Sequence, residues 1–497
     1  MIQKQSKRKT FEIIIFCIAV FAAMLVFFTV LHPIPLMDED DVIYTVIVRK
    51  AIPIPGSWNP SRMMPEVLTS LCGNLAALCS AFGFGRFIDC QVVIYGVFLS
   101  LFITAYVWAF LHLLEKRFCC RRFQAICLSI LFLMLHFLVF RTEDSRNSFM
   151  FHTYDACCVF YYTVPAMLGC TIVMRFMETP DDPPILNGKD PVRESLLLLV
   201  LYFEMFSNLF GSAILAAYAG YRILRNVVQK KRVFCKQTAF WHAIVFCWLL
   251  AAVLEATGGR AADTRGQAVE GTLSFSSSLC QAVFIFVKTL WYSNILFRLM
   301  VIAVAASSVF LAVQHNKTNS SVKKNAFGET AVWGFATCIA VLLLCAIVEP
   351  LYAGRPETVF PIVFALFMML MQGMIFIFYH IPAAVRILPI LLLIVYSMTN
   401  TRFLTFQDSN PLLLDGHIAV AIENEIYESI ITAANAGKTE VTIDVILSNE
   451  ESNWPHDGRI GDPMAEFFLK YGIIDHEIRV HTKPSAEMNK RYHVDVP

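Results

Sequence analysis

The residues with the plainest capacity for chemistry are four consecutive carboxylates, Asp38, Glu39, Asp40 and Asp41. They follow directly on the first apolar segment, residues 11–31, which Pro33 and Pro35 bring to an end. Four acids at the edge of an apolar run cost free energy unless they face water, a cation or a substrate. Asp40 or Asp41 could act as a general base, accepting the proton of an attacking hydroxyl while a second carboxylate positions it. Asp38 and Glu39 could add oxygens for a divalent cation, Mg or Mn. One loop supplies fewer oxygens than a hard cation takes, so the sequence leaves metal dependence open. The plain alternative is a solvated loop or a structural cap on the next segment.

Arginine is the second signal. Ahead of residue 400, the loops assigned to the outer side carry Arg49, Arg62, Arg86, Arg141, Arg146, Arg260, Arg265 and Arg355, but only one lysine, Lys50. A guanidinium donates two parallel hydrogen bonds to a phosphate and keeps its charge when partly desolvated. Arg62, Arg260 and Arg355 each lie in a short polar turn beside glycine or proline, and Arg265 shares the Arg260 loop. Arginines also pair with nearby acids or snorkel to head groups, which is the structural alternative. Tyr154 and Tyr162 flank a segment boundary, where aromatics anchor at an interface or stack on sugar rings. Glu204 and Asn208 interrupt an otherwise apolar run at 195–224. An ionisable group at that depth is a functional candidate by default, although Glu204 could simply pair with an arginine.

The elements that must hold these groups are membrane elements. The chain has 497 residues, 57% hydrophobic and only 16% charged, with a formal net charge of +1. Soluble domains are about 25% charged, and repeated apolar runs of about 17 residues or more point to a polytopic membrane protein. A near-neutral balance gives no hint of a nucleic-acid or other polyanionic partner, and none is expected. The fifteen cysteines lie mostly inside apolar segments without metal spacing, so neither a zinc site nor a disulfide framework follows. The basic N-terminus and the long first segment predict an uncleaved helix with a cytoplasmic N-terminus. Positive loops then order segments at 90–114, 123–140, 156–174, 240–255, 295–313, 331–348, 359–379 and 384–398, with 279–292 read as an interfacial helix. The stretch 67–84 is too polar and glycine-broken to assign as a span. Both flanks of 195–224 read as cytoplasmic, so it is expected to be two short helices whose tip at 204–208 lies at or below the outer surface. Half of that run rises only about 20 Å, short of a hydrocarbon core of about 30 Å. About 11–12 transmembrane or half-spanning helices result, with the charges gathered at one face.

The chain changes character near residue 400. Residues 1–400 form the membrane domain, with an acidic outer loop at 32–89, and 401–497 form a small extracytoplasmic α/β appendage. Isoleucines 418, 422, 426 and 430 mark one face of a helix over 416–435, closed by Gly437. Residues 441–447 and 474–481 read as strands. Asp462-Pro463 starts a helix that Gly472 ends. No phosphate-binding glycine loop is present in this appendage, which reads as a docking or covering module.

Asp40-Asp41-x-x-Tyr44, Trp58…Arg62, Tyr162-Thr163-Val164-Pro165, the break at Glu204 to Asn208, and Gly258-Gly259-Arg260…Arg265 together resemble the polytopic GT-C glycosyltransferases. More closely, the layout is similar to bacterial membrane proteins of unknown function related to O-antigen glucosyltransferases. The glycine-arginine loop departs from the proline-glycine-asparagine form of those proteins. The resemblance implies transfer of a sugar from a polyprenyl-phosphate donor to an extracytoplasmic glycan or lipid acceptor. Asp40 or Asp41 would be the base, arginines would hold the donor phosphate, and the setting would be a bacterial inner membrane. Two readings of other classes stand beside it: a transporter or flippase of a lipid-linked saccharide or anion, and a non-catalytic envelope assembly protein. Matching broken helices in two halves would favour transport, and no convincing repeat is present.

Overall fold

The structure, a computed structural model, describes residues 2–36, 39–46, 55, 60–142, 148–151, 156–178, 191–229, 231, 233–258, 274–314, 321–380, 414–447 and 461–494. The apolar runs form helices because an isolated chain in an apolar setting must satisfy its own backbone. They are α1 (Ile2–Val26), α2 (Glu39–Val46), α3 (Ser70–Ala81), α4 (Phe87–Lys116) and α5 (Arg122–Leu138). Next come α6 (Ala156–Glu178), α7 (Pro191–Met205), α8 (Leu209–Val228) and α9 (Lys236–Thr257). The bundle closes with α10 (Phe275–Trp291), α11 (Ile295–Gln314), α12 (Ser321–Val348) and α13 (Pro356–His380).

Among the described residues six helices are long and apolar enough to cross a membrane, and a seventh crossing results if the bent pair α10–α11 counts as one. The expected 11–12 elements counted half-spanning helices as well as full crossings, and part of the chain lies outside the described residues. The stretch at 67–84 is the 12-residue α3 preceded by one π turn, and α5 is 17 residues long. The segment expected at 384–398 lies outside the described residues. The run at 195–224 is indeed broken into two helices, α7 and α8, with the break at residues 206–208.

Among the described residues three π turns interrupt the helices, each at or within two residues of a proline: Phe27–Leu31, Pro65–Thr69 and Val159–Thr163. Pro165 shows why. It has no N–H for the carbonyl of Tyr161, and widening the preceding turn lets the backbone N–H of Val164 reach the carbonyl of Val159 instead. The wider turn re-aims the side chains it carries, among them Tyr161 and Tyr162.

Helices α6 and α8 approach closely where glycines face each other. A Cβ on Gly211 would stand 2.9 Å from the Ala166 nitrogen, and one on Gly169 would stand 3.2 Å from the Gly211 carbonyl oxygen. Small residues let membrane helices pack backbone to backbone in this way. The two ends of the bundle are both charged, which corrects the expectation of charge at one face. At the end formed by the C-terminus of α4 and the start of α12, Glu329 accepts from Arg117 at 3.2 Å and Arg225 at 3.3 Å. Arg122 pairs with Glu115 and Arg175 with Glu178 at the same end.

The C-terminal unit is α14 (Gly416–Asn435), β1 (Glu440–Ile446), α15 (Asp462–Lys470), β2 (Arg479–Ser485) and α16 (Ala486–Tyr492). The strands pair in parallel, Glu440 opposite Arg479, with α15 in the crossover. The second strand begins later than the expected 474, because Gly472 (φ +68°) ends α15 and the chain bends before it reaches the sheet. Pro484 is tolerated because β2 is an edge. The unit docks on the start of α4. Phe87 meets the rings of Tyr427, Phe467 and Phe468 at 6.1, 5.9 and 5.3 Å, and the Asn424 amide donates to Asp89 at 2.9 Å.

Gly416, at the head of α14, presses on the Pro33 carbonyl. Beside that contact the His32 ring is buried 5.9 Å from Phe27 and 5.7 Å from Phe149. Burial, and then His417, lower its pKa from 6.5 to about 4. The neutral ring therefore contributes stability that is fully present above about pH 6.5 and lost as pH falls through about 4, roughly 3 kcal/mol in all. Thermal unfolding followed across that window should show the loss, and His32→Gln should flatten it.

Candidate functional site

Arg62 is the centre of the best-formed polar site. Its loop is fixed by its neighbours. The Met63 N–H donates to the Phe206 carbonyl at 3.1 Å and the Met64 N–H to the Ser207 hydroxyl at 3.0 Å. The Ser61 hydroxyl donates to Glu255 at 2.6 Å. The acidic-loop segment is thus pinned to the tip between α7 and α8 and to the end of α9. Glu255 stands at a helix C-terminus, where the dipole disfavours a carboxylate, and Ser61 offsets part of that cost.

Within this frame Arg62 is only 6% exposed. Its Nη1 donates to the Tyr44 hydroxyl at 2.5 Å, and its guanidinium lies 4.2 Å from the centre of the Tyr161 ring and 5.7 Å from that of Tyr44. Its Nε has no hydrogen-bond partner. A buried guanidinium in a tyrosine cage gains cation–π attraction of about 2 kcal/mol, well short of the cost of removing the ion from water. Burial pushes the Tyr44 phenol well above its ordinary value, so it remains a neutral acceptor. Such a guanidinium can hold an anion.

The adjacent acids divide. Asp41 is fully buried, and its two carboxylate oxygens accept the backbone N–H groups of Ala156 (3.0 Å) and Cys157 (2.6 Å). It is an anion seated on the N-terminus of α6, where backbone donors and the helix dipole hold it. A carboxylate whose lone pairs are committed to backbone donors is a poor base. Asp40, one residue earlier on α2, is partly exposed and lies in the electrostatic field of Arg62. The pair that the sequence left undivided therefore splits into a structural acid and a candidate base.

Arg355 approaches from the far side. It follows the 3-10 turn Pro350–Gly354, with its guanidinium 4.5 Å from the centre of the Tyr352 ring. Electrostatically it feels Glu357, Tyr352 and Tyr162, and Tyr162 also feels Arg62. Tyr161, Tyr162, Phe210 and Tyr352 form an aromatic arc between the two arginines, with successive ring separations of 4.4, 6.4 and 6.3 Å.

The other sequence candidates are placed elsewhere or lie outside the described residues. Glu204 is fully buried at the end of α7 and has no hydrogen-bond partner; a Cβ on Gly169 would stand 2.5 Å from its Oε1. It is packed against Gly169 of α6, where Gly211 and Ile214 of α8 also approach. Asn208 caps α8, accepting the Gly211 N–H at 2.9 Å. Glu39 opens α2. Asp38, Tyr154, Arg260 and Arg265, like Arg49 and Arg146, lie outside the described residues. Arg86 pairs with Asp89 at 2.8 Å. Among the described residues no group of three histidine, cysteine or acidic side chains could hold a metal. Sequence reasoning noted Tyr161 only as the neighbour of Tyr162 and missed Tyr352 and Glu255 as parts of the site; the clustering of tyrosines near arginine turns was the one signal for the tyrosines.

Compared with known protein families, characterised proteins and solved structures, the chain matches none.

Proposed function

We propose that this chain is a membrane glycosyltransferase of the GT-C kind, moving a sugar from a polyprenyl-phosphate donor to an extracytoplasmic glycan or lipid. The observation that carries this reading is Arg62: a buried, tyrosine-caged guanidinium with an unpartnered Nε–H, whose field reaches the partly exposed carboxylate of Asp40. In the proposed reaction the acceptor hydroxyl gives its proton to Asp40 as its oxygen bonds to the sugar anomeric carbon. The bond from that carbon to the donor phosphate breaks, and the negative charge released on the phosphate falls to Arg62 and Arg355. The aromatic arc would stack on the sugar. The arginine end of the bundle would face the bacterial envelope and the Glu329 end the cytoplasm, consistent with the positive-inside rule.

A second reading, transport of the same lipid-linked saccharide, is favoured by one observation. Glu204 is a partnerless buried carboxyl at a broken helix pair, a feature of transport pathways. One experiment separates the two. Membranes containing the protein are given radiolabelled lipid-linked sugars extracted from the host. A transferase moves label from lipid to glycan, and Asp40→Asn lowers that rate about 10²–10⁴-fold while unfolding changes by no more than about 0.5 kcal/mol. Label that crosses the bilayer without leaving its lipid would establish transport instead.

A further inference from the structure

Glu204 is a buried ionisable group that the proposed sugar transfer leaves unused. It lies one residue from the end of α7, fully enclosed, and neither carboxyl oxygen has a hydrogen-bond partner. Its Oε1 is 2.5 Å from where a Cβ on Gly169 of α6 would stand, and the Gly211 carbonyl oxygen and Ile214 of α8 close on the same point at 3.2 Å each. Asn208 caps α8 through Gly211, and its amide Nδ2 is likewise buried and unpartnered. Among the described residues, the titratable side chain in the field of Glu204 is the Cys170 thiol of α6, and no cationic side chain adds to it. A carboxylate with neither a cation nor donors is not held in such a place; the group takes up a proton instead.

The same short tip holds the Arg62 loop. Phe206 and Ser207, two and three residues after Glu204, accept the backbone N–H groups of Met63 (3.1 Å) and Met64 (3.0 Å). The Ser207 hydroxyl in turn donates to the Phe203 carbonyl, on the last turn of α7. The tip is thus fixed on the glycine crossing through Glu204 and carries the loop through Phe206 and Ser207. Ionising Glu204 would call for water or a cation beside Gly169. Helices α6 and α8 meet too closely there to admit one without separating.

We infer that Glu204 is an exchangeable proton site whose occupancy holds the α7–α8 tip, and with it the Arg62 loop, in place. With the proton bound, the neutral carboxyl packs on Gly169. When the proton passes to water, the tip leaves the crossing and releases Met63 and Met64; only hydrogen bonds change. The site stands whether the chain transfers a sugar or transports one.

The test uses the full chain in phosphatidylcholine nanodiscs over about pH 5–10, a range that spans the values reached by buried glutamates. Two quantities are followed: the infrared carbonyl band of a protonated carboxyl, and hydrogen exchange at the Met63 and Met64 amides, corrected for the base-catalysed exchange of free amides. At neutral pH the wild type should show a carboxyl band that Glu204→Gln and Glu204→Met both lack. As pH rises that band should vanish, and protection of the two amides should fall with it about tenfold or more, the worth of two hydrogen bonds. Neither variant can ionise at residue 204, so their protection should be the same at every pH. No difference in the band between wild type and variants at neutral pH would overturn the inference, since Glu204 would already be ionised. A band that persists to the top of the range would overturn it as well, and so would one that vanishes while both amides stay protected. An equal pH-dependent loss of protection in all three proteins would assign the effect to another group.

Discussion

Arg62→Gln is expected to lower sugar transfer about 10²–10³-fold, the usual cost of removing one preorganised donor from a developing oxyanion. The reasoning is electrostatic. The guanidinium is held away from water with its Nε unpartnered, so in the proposed reaction its charge would act on the phosphate at close range. Glutamine keeps a hydrogen bond to Tyr44 within reach and removes the charge. Arg62→Lys separates charge from geometry. It keeps a cation but loses the planar fork that holds two phosphate oxygens together, so partial activity is expected with a weakened donor KM. Rates measured with saturating and limiting donor, alongside thermal unfolding of each variant, check the prediction. Full activity in Arg62→Gln would remove the arginine from the site.

The second large effect is structural. Asp41→Ala is expected to destabilise the protein by about 3–5 kcal/mol, because it leaves two buried N–H groups at the start of α6 unsatisfied and removes the charge they hold. Since total stability is about 5–15 kcal/mol, the variant should accumulate poorly and unfold at a markedly lower temperature. Asp41→Asn should recover only part of the loss, since its amide presents donors where one of the backbone N–H groups needs an acceptor. Asp40→Asn should unfold like the wild type. Expression level and unfolding temperature in the same membranes measure this contrast. Equal stability of Asp41→Ala and wild type would show that the cap contributes nothing.

This split between neighbouring acids shows what the sequence could and could not express. Hydropathy located the helices well, since the expected 90–114 and 359–379 fall inside α4 and α13, and a helix was expected over the residues of α14. The break between α7 and α8 was legible because Glu204, Ser207 and Asn208 interrupt the apolar run and both of its flanks read as cytoplasmic. Asp40 and Asp41, by contrast, are chemically identical in sequence and sit side by side. Only the arrival of the α6 N-terminus, 115 residues later in the chain, makes one of them a cap. Arg62 stood out through its turn, but its cage needs Tyr161, whose direction is set by a π turn that no periodicity announces. Arg355 joins the site through Tyr352 and Phe210, contacts between distant elements. The β2 boundary was misplaced because apolar residues 473–474 pack against the appendage core without joining its ladder.

The central claim is that Asp40 and Arg62 together transfer a sugar within this membrane scaffold. Its most direct test is a glycan profile of the host envelope in strains with the intact gene, the deleted gene, Asp40→Asn and Arg62→Gln. The account predicts one sugar modification lost in the deletion and in both variants, with both variant proteins present in the membrane at the normal level. A modification lost only on deletion, with both variants behaving as wild type, would contradict it.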